Sequence, residues 1–149
     1  MAIVRGAGTE ILRSMHLLDI DSTATNLIYG VQHHIYTVLN IIVYAASIQA
    51  AGNWVRCYLN GYDALGGATG QDINVFQEDM QATKTFVWND KFSFNGTEPT
   101  DFAGPLSTAA HQDAIADQAT TTRNILRIVT EHASDNFHVH HTYLDQNNA

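Results

Sequence analysis

The chain has 149 residues, of which 45% are hydrophobic and 15% are charged. This composition excludes an intrinsically disordered protein, which combines low hydrophobicity with high charge, and the length suits one domain with its own core. Seven Lys and Arg against fifteen Asp and Glu give a net charge of −8, which argues against a nucleic-acid partner because phosphate binding needs a basic face.

The first elements are an arm and two strands. Residues 1–8 lack the long apolar stretch of a signal peptide and are expected to form a short N-terminal arm. Moderate alternation of apolar and polar residues predicts strands over Glu10–Leu18 and Thr23–Tyr29.

The strongest strand signal follows, over His34–Ala46. Its β-branched and aromatic residues fall on both faces, which predicts a central strand that is buried on both sides. After a turn at Ala50–Asn53, the strand Trp54–Asn60 is expected to pair with it as a hairpin.

The middle of the chain contains shorter elements. Four glycines in Gly61–Gly70 predict a flexible surface loop, and Ile73–Phe76 fits a short strand. The runs Thr83–Trp88 and Phe92–Phe94 flank Asn89–Lys91, a pattern that favours a tight hairpin.

The C-terminal part completes the predicted fold. An insertion near 97–119, helical or loop-like, precedes a predicted hairpin of Thr122–Glu131 and Phe137–Leu144, and 145–149 is expected to be a polar tail. Eight or nine short strands predict an all-β protein, an antiparallel β-sandwich or jelly-roll-like fold, in one domain over 9–144.

Eight histidines give the main candidates for chemistry. His138 and His140 share one face of a strand and are therefore candidate metal ligands, with His132 or Asp145 as a third. The simpler alternative is a pair of histidines hydrogen-bonded to neighbours or solvent, so we expect no metal. His16 has no other histidine near it in the sequence, so we expect it to have only a packing role, in the core or on the surface.

No catalytic signature is present. The lone Cys57 excludes an internal disulfide, and its apolar strand predicts a buried thiol. There is no Gly-x-Ser-x-Gly motif and no phosphate-binding loop. We therefore expect no catalytic residues, no cofactor and no enzyme activity. Aromatic residues such as Trp54 and Trp88 are expected in the core, the alternative being a sugar-binding surface.

One pattern of strands and turns resembles a known group. Gln32–Ser47 followed by Trp54–Gly61, with Phe86–Asp90 and Phe137–Tyr143 later, is similar to small virion proteins of tailed bacteriophages. The long strand of that group usually starts with Gly-Lys, where this chain has Gln32-His-His. The resemblance implies a β-sandwich on a phage particle that binds other virion proteins, and it carries over no catalytic residues.

The leading functional hypothesis is a capsid decoration (cement) protein, made in the host cytoplasm and located on the virion. Only two residues are lysine, and protein interfaces are depleted in Lys. Its expected partners are the major capsid protein or other virion proteins and further copies of itself, with a trimer as the plainest oligomer. No nucleic-acid partner is expected, because the chain is acidic. No membrane partner is expected, because the longest apolar run is too short to span a bilayer. The alternatives are a tail adaptor, baseplate or fibre-associated protein, and a metal- or carbohydrate-binding β-sandwich module.

Overall fold

The computed structural model describes residues 9–63, 68–97 and 122–147. Within these ranges the chain forms nine β-strands and no helix, which confirms the predicted all-β class. The strands are β1 (Thr9–Ile20), β2 (Thr25–Tyr29), β3 (His34–Ser47), β4 (Trp54–Asp63), β5 (Ala68–Asp79), β6 (Thr85–Trp88), β7 (Phe92–Asn95), β8 (Ile125–Thr130) and β9 (Asn136–Asn147).

The strands form two antiparallel sheets. The five-stranded sheet has the order β1-β9-β3, with β6 and β7 both paired to the far edge of β3, and the four-stranded sheet has the order β2-β8-β4-β5. Since β6 and β7 pair with successive stretches of β3, they act as one interrupted strand. Among the described strands, only β4 and β5 are both consecutive and paired. This order is a jelly roll, as predicted.

The three predicted hairpins are wrong. β3 and β4 lie in opposite sheets, as do β8 and β9, while β6 and β7 run in the same direction along β3. A short turn between two apolar strands can connect strands of opposite sheets as readily as it forms a hairpin. Crossing lets each strand bury its apolar face against the opposite sheet, which a flat hairpin cannot do alone.

Several predicted boundaries also shift. β4 and β5 extend to Asp63 and from Ala68, so most of the predicted loop Gly61–Gly70 is strand. β9 runs through Asn147, so residues 145–147 are strand rather than tail, because Asn147 pairs with both Thr9 and His34. The arm 1–8 and the insertion from residue 98 onward lie outside the described residues.

β3 is central, but only its inner face is fully buried. A bulge between Val38 and Asn40 shifts the alternation, so that Val38 and Ile41 both point into the core. The outer face stays half-exposed, and Tyr44 on it is 37% exposed. Residues from both sheets fill the interior, and the fully buried ones include Val38, Ile41, Val43, Val55, Cys57, Leu126, Ile128, Phe137 and Val139.

Asp135 ties together the turns at one end of the sandwich. Its carboxylate accepts hydrogen bonds from the backbone amides of Gln49 (2.8 Å) and His132 (2.9 Å) and from the side chain of Asn53 (3.0 Å). Burial raises the pKa of Asp135, but these hydrogen bonds outweigh it, and the pKa is lowered below its usual value. The ionised carboxylate thus joins the β3–β4 and β8–β9 connections.

Asp135→Asn should lower the free energy of unfolding by about 2 kcal/mol at pH 7, because an amide offers one acceptor atom where the carboxylate offers two. The lowered pKa means that the contribution is present above about pH 4 and is lost as the pH falls further. Urea unfolding at pH 7 and pH 3 measures both effects, with the exposed Asp90→Asn as control. Equal stability of the two variants at pH 7 would contradict this role.

At the opposite end, glycines allow two backbones to touch. A Cβ on Gly30 would overlap the carbonyl groups of Gly96 and Asn124, and a Cβ on Gly96 would overlap the backbone of Val31. The Gly30 amide donates to the Asn124 carbonyl, and the Asn124 amide donates to the Gly96 carbonyl, both at 3.1 Å. This contact closes the sandwich where β2, β7 and β8 meet.

Gly30→Ala and Gly96→Ala should each destabilise the protein by several kcal/mol, on the order of 3, because backbone atoms must move apart. Gly61→Ala is the matched control, since its Cβ would meet only the Asn124 side chain, at 3.9 Å. Thermal unfolding of the three variants tests the contact, which is disproved if all three melt together.

Candidate functional site

β1 is an edge strand that is exposed on both faces. Of its twelve residues, only Leu17 is half-buried and only Ile20 is buried. The exposed apolar side chains are Ile11 (36% exposed), Leu12 (62%), Met15 (39%) and Leu18 (57%). One backbone edge of β1 pairs with β9, and no other described strand pairs with β1. An unprotected edge of this kind can take up a further strand.

A cleft of about 350 Å³ separates β1 from β2 in the other sheet. At its base lies the buried carboxylate of Asp145, which accepts from Arg13 Nε at 2.9 Å and pairs with His34 Nδ1 at 2.6 Å. The Tyr36 hydroxyl accepts a hydrogen bond from the Val31 amide (3.1 Å). The cleft therefore combines apolar walls with an anchored ionic cluster that joins β1, β3 and β9.

Two tyrosines of this cleft, Tyr36 and Tyr143, stay protonated. Burial, followed by the negative charge of Asp145, raises the pKa of Tyr36 to about 12. Burial likewise raises the pKa of Tyr143. The phenols of Tyr36 and Tyr143 are therefore neutral at physiological pH. The Asp145 carboxylate is paired with Arg13 and His34, and these contacts hold β1, β3 and β9 together beside the cleft.

The candidate metal ligands lie on the outer face of the five-stranded sheet. As predicted, His138 and His140 share this face, but they have different partners. His140 Nδ1 lies 3.0 Å from His16 Nδ1 on β1, whereas the His138 ring packs against Tyr44 with centroids 5.9 Å apart. Asp145 points to the inner face and cannot join them. Among the described residues, no group of three His, Cys, Asp or Glu is placed to hold a metal.

Sequence reasoning missed the pairing of His16 with His140. The β1–β9 register places these residues directly opposite each other, and their rings meet edge to face with centroids 5.1 Å apart. A register between strands more than a hundred residues apart leaves no mark in local alternation, so His16 looked isolated.

His141 is the buried histidine of β9. It is fully buried, and its Nε2–H donates to the Leu27 carbonyl of the opposite sheet at 3.0 Å. Within the described residues its Nδ1 is buried without a hydrogen-bond partner. Burial, aided by the nearby His140, lowers the pKa of His141 to about 4, and the bond to Leu27 only partly offsets this. The neutral ring is therefore a link between the two sheets.

Protonation of His141 should destabilise the fold at acidic pH. An unfolded histidine takes up a proton near pH 6.5, so the stabilising contribution is complete above that pH and is lost as the pH falls towards 4. The loss should be about 3 kcal/mol, measured by urea unfolding between pH 7 and 4. His141→Gln should flatten this dependence while the exposed His132→Gln keeps it. Equal slopes in both variants would disprove the assignment.

Cys57 and the aromatic residues are mainly structural. Cys57 is fully buried, and burial raises its pKa, so the thiol is unreactive, as predicted. Phe94 is in the core, and Phe86, Trp88 and Phe92 pack against it. Packing into the core was the expected role of these aromatic residues. The same expectation is wrong for Trp54, which is half-buried outside the core cluster with the Arg56 guanidinium 6.0 Å from its ring. No helix in the described ranges has the length and apolar character needed to cross a membrane.

Comparison with known proteins assigns no family. The sequence matches no protein-family model and no curated protein. Among solved structures, a chain of the Bacillus endospore appendages, a family of disulfide-linked pili, is 12% identical with a TM-score of 0.44, covering 100% of this chain and 97% of that one.

Two further matches come from particles of infectious bursal disease virus. A chain of the T13 particle is 10% identical with a TM-score of 0.42, and a chain of the Gx strain is 8% identical with a TM-score of 0.41. This chain matches only 37% and 35% of their lengths. At these scores none of the three likenesses assigns a function.

Proposed function

We propose that this protein is a structural subunit that works by binding other proteins in an assembled particle, specifically a decoration protein of a phage capsid. The observation that carries the proposal is the exposed edge strand β1, whose free side pairs with no strand of the described residues. A twelve-residue edge with apolar side chains on both faces is rare in a protein that functions as a monomer, because such an edge promotes association.

The contrast between the two edges of the five-stranded sheet supports this proposal. The edge opposite β1 is formed by β6 and β7, each of four residues. Lys84 precedes β6, and Lys91 lies between β6 and β7, and these are the two lysines of the whole chain. Short, interrupted strands flanked by lysine are protected against pairing, whereas β1 contains neither Lys nor Pro. Within the five-stranded sheet, association is therefore directed to the β1 edge.

The polar groups of the molecule fit the same role. Asp145, Asp135 and His141 each hold parts of the sandwich together, and the buried Cys57 is unreactive. We therefore propose a protein without enzymatic activity, located on the virion. Its partners are the major capsid protein and other copies of itself, arranged as a trimer at a three-fold position.

Replacing Leu12 or Leu18 with Lys should block association, because a charge on an edge strand opposes strand addition. Both side chains are exposed, so the fold should persist. Sedimentation velocity should show an oligomer for the wild type and a shift to monomer for both variants. Ile73→Lys is the matched control, since Ile73 is 66% exposed on β5, the edge of the other sheet.

Binding to the particle is tested separately by co-sedimentation with capsids of the phage that encodes the chain. The wild type should bind over the whole shell, and Leu12→Lys should not. A wild type that remains monomeric at high concentration and ignores capsids would refute the proposal. Labelling confined to the tail, seen by electron microscopy, would replace the decoration role with that of a tail protein.

A further inference from the structure

The contact between His16 and His140 brings two imidazole nitrogens together on the outer face of the five-stranded sheet. The two Nδ1 atoms are 3.0 Å apart. Without a metal, this contact is a hydrogen bond in which one nitrogen carries the proton and the other accepts it. Imidazole nitrogen is a preferred ligand of zinc, copper and nickel, in the neutral form.

The spacing is close to what such an ion requires. Two nitrogens bound to a tetrahedral zinc ion at about 2.0–2.1 Å lie about 3.3–3.4 Å apart. A separation larger by a few tenths of an ångström, together with a rotation of the rings that turns both lone pairs to one point, would admit an ion in place of the shared proton. Adjacent positions in a paired β1 and β9 hold both side chains at this distance.

The surroundings favour the same conclusion. His140 Nε2 lies 3.5 Å from Thr142 Oγ1, which itself contacts Ser14 Oγ at 3.0 Å. A metal-bound histidine commonly donates its second N–H to such an oxygen, which orients the ring. An open cleft of about 360 Å³, lined also by His138, Ile42 and Tyr44, leaves room for the remaining ligands of the ion.

We propose that His16 and His140 together bind one divalent transition-metal ion of the zinc, copper and nickel class on the outer face of the five-stranded sheet. Two coordination positions stay open for water or for a donor from another molecule, because no third described side chain completes the site. The site shares β1 with the proposed association edge, since His16 belongs to that strand, but its ligands are side chains on the face of the sheet and the proposal does not depend on the decoration role.

The test uses the full chain and zinc chloride as the probe. Isothermal titration in a buffer that does not bind metals should show one ion per chain, reversed by EDTA. His16→Gln and His140→Gln should each weaken binding roughly tenfold or more, since even loss of an outer partner of a metal site has that effect. His138→Gln and the exposed His132→Gln are matched controls and should bind as the wild type does.

Each outcome decides the proposal. Absence of saturable binding by the wild type would overturn it, as would unchanged binding by His16→Gln. If His138→Gln loses binding together with His140→Gln while His16→Gln keeps it, the ligands are the i, i+2 pair of β9, and our assignment is wrong. Thermal unfolding of all four variants checks that the fold is retained, and histidine NMR signals should shift with zinc only at His16 and His140.

Discussion

The pairing of β3 with β9 is the contact on which the rest of the structure depends. It joins residues about a hundred positions apart in the chain, from His34 with Asn147 to Ser47 with Asn136. Its inner face supplies Ile41, Val43 and Val139 to the core. Until this pair forms, β1 has no partner strand. β6 and β7 can then pair only with a β3 that β9 does not yet hold in place. The entropy of closing so long a loop must therefore be overcome early, which makes folding of this topology intrinsically slow.

This pairing also explains why β1 is the long exposed edge of the five-stranded sheet. β9 pairs with β1 along the edge that does not pair with β3. The strand of the other sheet that faces β1 is β2, which has only five residues. The inner face of β1 is therefore covered only in part, and the cleft above Arg13 and Asp145 remains. The far side of the same sheet ends in the interrupted β6 and β7. Because β1 has twelve residues and β2 only five, part of β1 stays exposed at this edge of the five-stranded sheet.

The sequence was informative about strands and much less so about their partners. Alternation placed the long strand at His34–Ala46, within one residue of the observed β3, because side chains must alternate wherever one face is buried. Pairing is decided by contacts between distant segments, so two predicted hairpins are crossings between sheets and the third is two successive stretches along β3. The bulge after Val38 also changed which side chains of β3 point inward, since an inserted residue reverses the phase without any change in composition.

Histidines 138, 140 and 141 of β9 illustrate the same limit at the level of chemistry. Alternation places His138 and His140 outside and His141 inside, so residue type and position within one strand do predict which ring is buried once the face is known. The inner ring is held neutral by burial and bridges the sheets, while the outer ring of His140 contacts His16 through Nδ1. What decides between a lone ring and a pair is the neighbouring strand. His16 reaches His140 only because β1 enters in one particular register, and a shift of that register by one residue would turn it to the opposite face. Metal binding and strand register are therefore coupled, since an ion held by both rings stabilises only the pairing in which they face each other.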